Sequence, residues 1–401
     1  MEPITVLCIA SYHKGTEFLR EAKRQGCRVF LVTSASLREA EWPVESLDEV
    51  FYVRDENKKW KLDDLILGAS HLARRVALDR IVPLDDFDLE KASALREHLR
   101  VPGMGETTTR HFRDKLAMRM RAEEAGLPVP AFVHVLNDAR IRAFTARVPP
   151  PWVLKPRSEA GTIGIRKIRS EDELWPAIES LGDRHSYYLL EQFVPGDVHH
   201  VDSVVDHGQV LGAVASRYGT PPFDVSHGGG IFTTELMERG TPDEQALIAF
   251  NRQVLSALGL VRGVSHTEFI RGREDGRWYF LETSARVGGA HIADLVEAAT
   301  GVNLWAEWAK VEIAGGKAPY APPPFQTNYG GLIVSLARQE WPDLSRYVDP
   351  EVVWRLKKPH HAGLIVTSPS HARVRTLVDA YVERFRHEFA AALPPAGSAV
   401  D

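Results

Sequence analysis

Two stretches near the N-terminus, Ile4 to Ala10 and Val29 to Val32, are apolar at almost every position. A strand with one wet face alternates apolar and polar residues, so continuous runs of this kind are strands covered on both faces. Covering both faces calls for helices above and below a parallel sheet. The helical signals are in place: Thr16 to Gln25 is closed by Gly26. Leu62, Leu65, Ile66, Ala69, Leu72, Ala73 and Val76 recur at helical spacing ahead of an apolar strand over Arg80 to Leu84. The chain is therefore expected to begin with an α/β domain. Its first strand runs into Ser11-Tyr12-His13-Lys14-Gly15, which is not Gly-x-Gly-x-x-Gly, and this argues against a dinucleotide site at that turn.

With 401 residues, and roughly 100–200 residues per domain, about two to four domains are expected. The 49 basic and 54 acidic side chains leave a formal charge of -5, which argues against a nucleic-acid partner. Cys8 and Cys27 are too few for a disulfide framework and lack Cys-x-x-Cys spacing, so a reducing compartment is expected, with no thiolate metal site. A basic leader and an Ala-x-Ala cleavage site are missing, and no window approaches 18 uninterrupted apolar residues. The expectation is a soluble, cytoplasmic protein without a membrane partner.

After Arg110 a helix carries Phe112, Leu116 and Met120 and ends at Gly126. The Pro-punctuated stretch Leu127-Pro128-Val129-Pro130 then marks passage into a second region. There the pattern turns to hairpins: Trp152 to Lys155 and Gly164 to Ile168 flank a polar loop, and Tyr187 to Phe193, Val198 to Val205 and Gln209 to Ser216 read as strands. Ser170-Glu171-Asp172-Glu173 and Thr241-Pro242-Asp243-Glu244 are capping boxes that open helices; Pro176 is expected to disturb the first of these, and Gly259 to close the second. Gly315-Gly316 and the Pro-rich stretch Pro319 to Pro324 lead to a last helix from Ser370 to about Ala391.

The strongest chemical signal lies in Val264 to Ile270 and Trp278 to Glu282, joined by the turn-like Arg273-Glu274-Asp275-Gly276-Arg277. A hairpin closing around Asp275 sets Glu268 opposite Glu282, where side chains are about 4.5–5.5 Å apart and like charges repel. A hard divalent cation offsets that repulsion. His266, Ser284 and Arg286 share the same parity. The plainer alternative is a pair of edge glutamates neutralised by Arg271 or Arg277.

Lys155 ends a strand and precedes Arg157 to Gly164, whose small residues let backbone N–H groups approach an anion; this is not a Walker A motif. Glu191 closes a strand in Glu191-Gln192-Phe193-Val194-Pro195-Gly196, either to meet an adenine edge or simply as a solvated strand exit. His227 precedes three glycines, in a loop that either reaches an active centre or is mobile surface. His266 either orients a substrate or a metal-bound water, or is a core histidine on a backbone carbonyl. His199 and His200 point to opposite faces of a strand and cannot chelate jointly, and Trp305 and Trp308 suit packing.

Lys115, Val153-Leu154-Lys155, Glu191 to Gly196, Gly263 to Phe269 and Glu282-Thr283-Ser284-Ala285-Arg286-Val287-Gly288-Gly289, in this order and spacing, resemble the ATP-grasp superfamily. Within it the chain looks most like carboxylate-amine ligases of the L-amino-acid ligase and carnosine-synthase type, over residues 4 to 310. Pro83-Leu84-Asp85-Asp86 and Glu124 to Pro130 are similar to the preceding domain and its junction. The resemblance implies an α/β pre-ATP-grasp domain over 1–110, α+β ATP-grasp domains over 111–310 with a small lobe at about 128–195, and a small α+β C-terminal region over 311–401. It implies ATP with Mg²⁺ or Mn²⁺ as cofactors, a small carboxylate and an amine, such as amino acids, as substrates, and a homodimer as a candidate assembly. Residue by residue, Lys115 and Lys155 would bind phosphates beneath a loop including Ser158, Gly161 and Thr162. Glu191 would meet the adenine amino group, with the backbone of Phe193 and Val194 completing the hinge. Glu268, Glu282 and Ser284 would ligate the metal, Ser284 standing where the family usually has Asn. Arg286 would stabilise the transferring phosphoryl group, with His266 and His227 beside it. Val198 stands where the family places its ribose acid, so Asp197 or His199 is the expected substitute. The implied activity is ADP-forming amide synthesis through an acyl phosphate; a bicarbonate-using carboxylase and a non-catalytic ATP-binding regulator are the alternatives.

Overall fold

The computed structural model describes residues 3–56, 59–159, 161, 163–220, 230–315 and 320–391. The two apolar runs form β1 (Thr5–Ala10) and β2 (Arg28–Ser34). With β3 (Glu49–Val53) and β4 (Arg80–Pro83) they make a parallel sheet in the order β3-β2-β1-β4. Val6, Cys8 and Ala10 pack into one core while Leu7 and Ile9 pack into another, so both faces of β1 are covered, as continuous apolarity requires. Cys8 and Cys27 are free and buried.

A second, antiparallel sheet has the order β5-β8-β6-β7, from β5 (Phe132–His134), β6 (Trp152–Pro156), β7 (Arg166–Ile168) and β8 (Tyr188–Gln192). It has its own core around Trp152, Leu154, Ile141 and Phe144. The helix Glu171–Glu179 begins at Ser170, which accepts from the Glu173 N–H, and it runs through Pro176 instead of breaking there. The carbonyl freed by proline belongs to Asp172, which is exposed and reaches water, while Leu174 and Ile178 anchor the helix in the core.

The third sheet has eight strands in the order β13-β12-β9-β10-β11-β14-β16-β15. They are β9 (Gly196–Asp206), β10 (Gln209–Tyr218), β11 (Ile231–Leu236), β12 (Gly263–Gly272), β13 (Trp278–Ser284), β14 (Tyr329–Leu336), β15 (Val352–Arg355) and β16 (His361–Ser368). One face packs toward the N-terminal unit, where Trp308 meets Phe18 edge-on at 5.4 Å, so Trp308 does pack. The other face is covered by the helix Pro242–Leu258, capped by Thr241 and closed by Gly259 at φ 88°. The strands after residue 311 continue this same sheet through β11 and β14, so that boundary separates no sheet from another. The helix His371–Glu388, capped by Ser370, covers the added strands with a core of its own.

Candidate active site

The hairpin β12–β13 brings Glu268 directly opposite Glu282 and His266 opposite Ser284. A bulge at Leu281 shifts the pairing beyond this point, so Phe269 faces Phe280. The neighbouring strand β9 pairs His200 with Glu268 and Asp202 with His266, which puts all six side chains on one face.

These side chains form a connected polar network. Asp202 receives His266 Nδ1 at 2.9 Å on one oxygen and His200 Nδ1 at 2.7 Å on the other. His200 Nε2 lies 2.7 Å from Thr234 Oγ1. Tyr218 donates its hydroxyl to Glu268 at 2.9 Å and lies 3.3 Å from His266 Nε2. His266 is therefore bonded to a carboxylate, not to the backbone carbonyl of the plainer reading. Burial alone would lower its pKa, but the Asp202 charge and the bonds to Asp202 and Glu268 raise it to about 9. Burial dominates at His200 and pushes its pKa down, so the network's proton resides on His266. Burial would raise the Asp202 pKa, yet the two imidazoles hold it far below the carboxylate range. Ligating atoms of His200, Asp202 and His266 lie within 4.8 Å of one another, and the proton-sharing bonds already occupy them. Gly288 packs against this pair: a Cβ there would sit 2.8 Å from Asp202 Oδ1 and 3.0 Å from His266 Nδ1.

The repulsion between the two glutamates is offset by groups other than Arg271 and Arg277. Arg271 pairs with Asp243 at 3.0 Å, and Arg277 lies over Tyr279. Glu282 instead has Lys115 Nζ at 3.3 Å. Burial raises its pKa, but Lys115 and then Lys155 pull it below the ordinary value. Lys115 also donates to the Glu159 carbonyl at 2.6 Å, tying the β6–β7 connection that holds Ser158 and Gly161 to the large sheet. Thr162 and His227 lie outside the described residues.

Lys155 is 3% exposed and bonds Glu191 Oε1 at 2.6 Å; Arg119 Nε takes Glu191 Oε2 at 3.0 Å. Both Glu191 oxygens are thus engaged by cations, so Glu191 anchors Lys155, and an adenine amino group would have to share an oxygen. The Phe193 N–H donates to the Pro151 carbonyl, so of the Phe193 backbone the carbonyl is the group left to serve the expected hinge beside Val194. Burial lowers the Lys155 pKa to about 8, with Glu191 opposing the fall.

Asp197 and His199 are on the wrong face to replace a ribose acid. Val198 pairs with Ile270 and His200 with Glu268, so the residues of opposite parity point behind the sheet. His199 packs edge-on against Trp278 at 4.8 Å, and Asp197 pairs with Arg217 at 2.9 Å. Arg286 donates to the Val287 carbonyl at 2.8 Å and approaches Asp86 to 4.0 Å; its Nε is buried without a hydrogen-bond partner among the described residues. Asp202, Tyr218 and Arg119 escaped sequence reading, and that of His200 stopped at its divergence from His199, although the shared parity of His200 and Asp202 was a usable signal.

Residues 148–294 match the family description of an ATP-grasp domain. That segment of the chain is an ATP-grasp domain. Among similar proteins, the L-arginine-specific L-amino acid ligase of Bacillus subtilis is 23% identical over 265 residues, 64% of this chain and 62% of that protein. The D-alanine–D-alanine ligase of Pseudomonas entomophila is 27% identical over 180 residues, 44% of this chain and 55% of that protein. The chain thus spans less than two thirds of these relatives. The crystal structure of an L-amino acid ligase from Bacillus licheniformis superposes with a TM-score of 0.73 at 19% identity, covering 97% of this chain and 98% of the other, which establishes the shared fold. The donor set of the ATP-grasp domain suits the family's metal: two facing carboxylates and a hydroxyl are all oxygen donors, the chemistry of Mg²⁺ or Mn²⁺.

Proposed function

We propose that the chain is an ATP- and Mg²⁺-dependent carboxylate-amine ligase that forms an amide through an acyl phosphate. The observation that carries this reading is the meeting of Glu268 and Glu282 of the large sheet with Lys115 at the start of a helix, Lys155 of the small sheet and Arg286 just beyond β13. The similarity to L-amino acid and D-alanine ligases supports the reaction class.

Glu268, Glu282 and Ser284 would hold the metal, which would supply charge neutralisation for the nucleotide's phosphates. Lys115 and Lys155 bind the polyphosphate from the small-sheet side, and Lys115 closes the β6–β7 connection over it. A substrate carboxylate oxygen attacks the γ-phosphorus, the bond to the β-phosphate oxygen breaks, and ADP leaves. Arg286, a permanent cation with an unused Nε, holds the resulting acyl phosphate. An amine nitrogen then attacks the carbonyl carbon, phosphate departs and the nitrogen loses a proton. Asp202 keeps His266 charged, with Nε2 toward Tyr218 and Glu268, so the imidazolium adds positive charge beside the metal carboxylates.

ADP release is measured with a panel of amino acids as both acid and amine, with mass spectrometry of the product. ADP and phosphate in equal amounts with a condensed product are expected, and Glu282→Ala should abolish them. AMP formation, turnover insensitive to Glu282→Ala, or ADP release stimulated by bicarbonate alone would contradict the reading.

A further inference from the structure

Arg113 lies between the turn Arg110–Phe112 and Asp114, the cap of the helix Lys115–Glu124, and it is 6% exposed. Its guanidinium sits over the Phe87 ring, 4.7 Å from the centroid. Among the described residues it has no ion pair, and its Nε is buried without a hydrogen bond. Arginine cannot shed its charge, so a buried guanidinium lacking an anion is costly. Lys115 and Arg157 nearby each have a carboxylate, so Arg113 is an exception among these neighbouring cations.

On the other flank of the same loop, Asp86 is 8% exposed. One of its oxygens lies 4.0 Å from Arg286, and the other is buried without a hydrogen-bond partner among the described residues. Asp85, by contrast, is satisfied by Lys14 and the Phe87 N–H. Two buried side chains of opposite charge thus flank one loop at the C-terminal end of β4, each short of a partner. They do not meet each other because Arg113 is held over Phe87 while Asp86 leans to Arg286. The carboxyl end of a parallel strand is where α/β sheets place ligands.

We propose that this loop binds the amine substrate as a zwitterionic amino acid, Arg113 taking its carboxylate and Asp86 its ammonium. The proposal rests on the ligase reading above. A polyphosphate suits Arg113 poorly, because Asp85, Asp86 and Asp88 stand in the adjoining loop and would repel it, and Lys115 and Lys155 serve the nucleotide side. A simple amine leaves Arg113 unpaired. An amino acid satisfies both charges and sets its nitrogen beside Arg286, where the acyl phosphate is held. Asp86 first takes one proton from the ammonium and passes it to water, which frees the lone pair; the neutral nitrogen then attacks the carbonyl carbon, phosphate leaves that carbon, and a second proton passes from the nitrogen to Asp86 and on to water.

The test compares amino acids with their amides and methyl esters as amines, at fixed acid and ATP. The KM of the unaltered protein for an amino acid should be at least tenfold below that for its amide. Arg113→Met should erase this preference and Arg113→Lys should restore part of it, while the Kd for ATP by calorimetry stays within twofold. Equal KM values for amino acid and amide, or loss of ATP affinity in Arg113→Met with the preference intact, overturns the proposal. If Arg113→Met fails to fold, the comparison on the unaltered protein decides. Absence of ADP release with every acid and amine would sink the ligase reading instead. Calorimetry of amino acid against amide on the ADP-saturated protein then tests the loop by itself: tighter binding of the amino acid supports it, and equal binding refutes it.

Discussion

Asp202 decides the electrostatics of the site, because one fully buried carboxylate serves two imidazoles. His266 is held at about 9, above the ordinary histidine value of ~6.5. A raised folded-state pKa contributes stability that is complete below the unfolded value and is lost as pH rises through the folded one. The network's contribution should therefore decline between about pH 6.5 and 9. Asp202→Asn should bring the His266 pKa below 7 in an NMR titration and flatten that decline in chemical denaturation; an unchanged His266 titration would refute the assignment. Lys155 gives the second residue-scale test. With its ammonium depressed to about 8 and needed by a polyanion, the ATP Kd should rise above pH 8, and Lys155→Arg should remove the rise. A pH-independent Kd in the unaltered protein would count against it. Neither group was legible in full from the sequence: Lys155 stood out at a strand end, whereas Asp202 gained meaning only from a histidine 64 residues away.

At the scale of elements, parity and turn composition foretold that Glu268 faces Glu282, and the hairpin keeps that pairing despite the Leu281 bulge. The bulge itself has no local signature, because it depends on how the β12–β13 ladder meets its neighbours. The same strand logic foretold that His199 and His200 diverge, yet it could not say which one faces the site. That followed from the antiparallel register of β9 on β12. Helix signals were more local and translated directly: Ser170, Thr241 and Ser370 all cap the helices they precede. Thr241→Ala should cost about 1 kcal/mol in chemical denaturation, the usual loss of an N-cap. Gly288→Val should cost more, because its Cβ would meet Asp202 Oδ1 at 2.8 Å and part the buried pair. A Gly288→Val protein as stable as its parent would show that the turn relaxes without disturbing Asp202.

For the whole molecule, the site is assembled from all three sheets and their connections: Asp86 from the turn after β4 of the parallel sheet, Lys155 from the small sheet, and the paired glutamates from the large one. A ligand bridging them should stabilise the fold as a unit. MgATP at 100 times its Kd should add about 2.7 kcal/mol. Chelation, or the double substitution Glu268→Gln with Glu282→Gln, should remove the metal-dependent part of the thermal shift while an ATP-only shift persists. An undiminished metal-dependent shift in the double variant would place the cation elsewhere. No helix among the described residues is long and apolar enough to cross a membrane.

What the sequence by itself determined is local: buried strands from continuous apolarity, helix starts from capping residues, and the face shared by Glu268 and Glu282 from the two-residue period of a strand. Each of these is set by sterics and hydrogen bonding within a few residues of the chain. Tertiary structure alone decided which charges meet. Lys115 finds Glu282, Arg119 finds Glu191, Asp202 finds His266, and Arg113 has no ion pair among the described residues, while the strands after 311 join a sheet begun more than 100 residues earlier. Such pairings depend on strand register and on the exclusion of water between distant segments. Burial then turns a weak surface attraction into the force that moves the pKa values of the site.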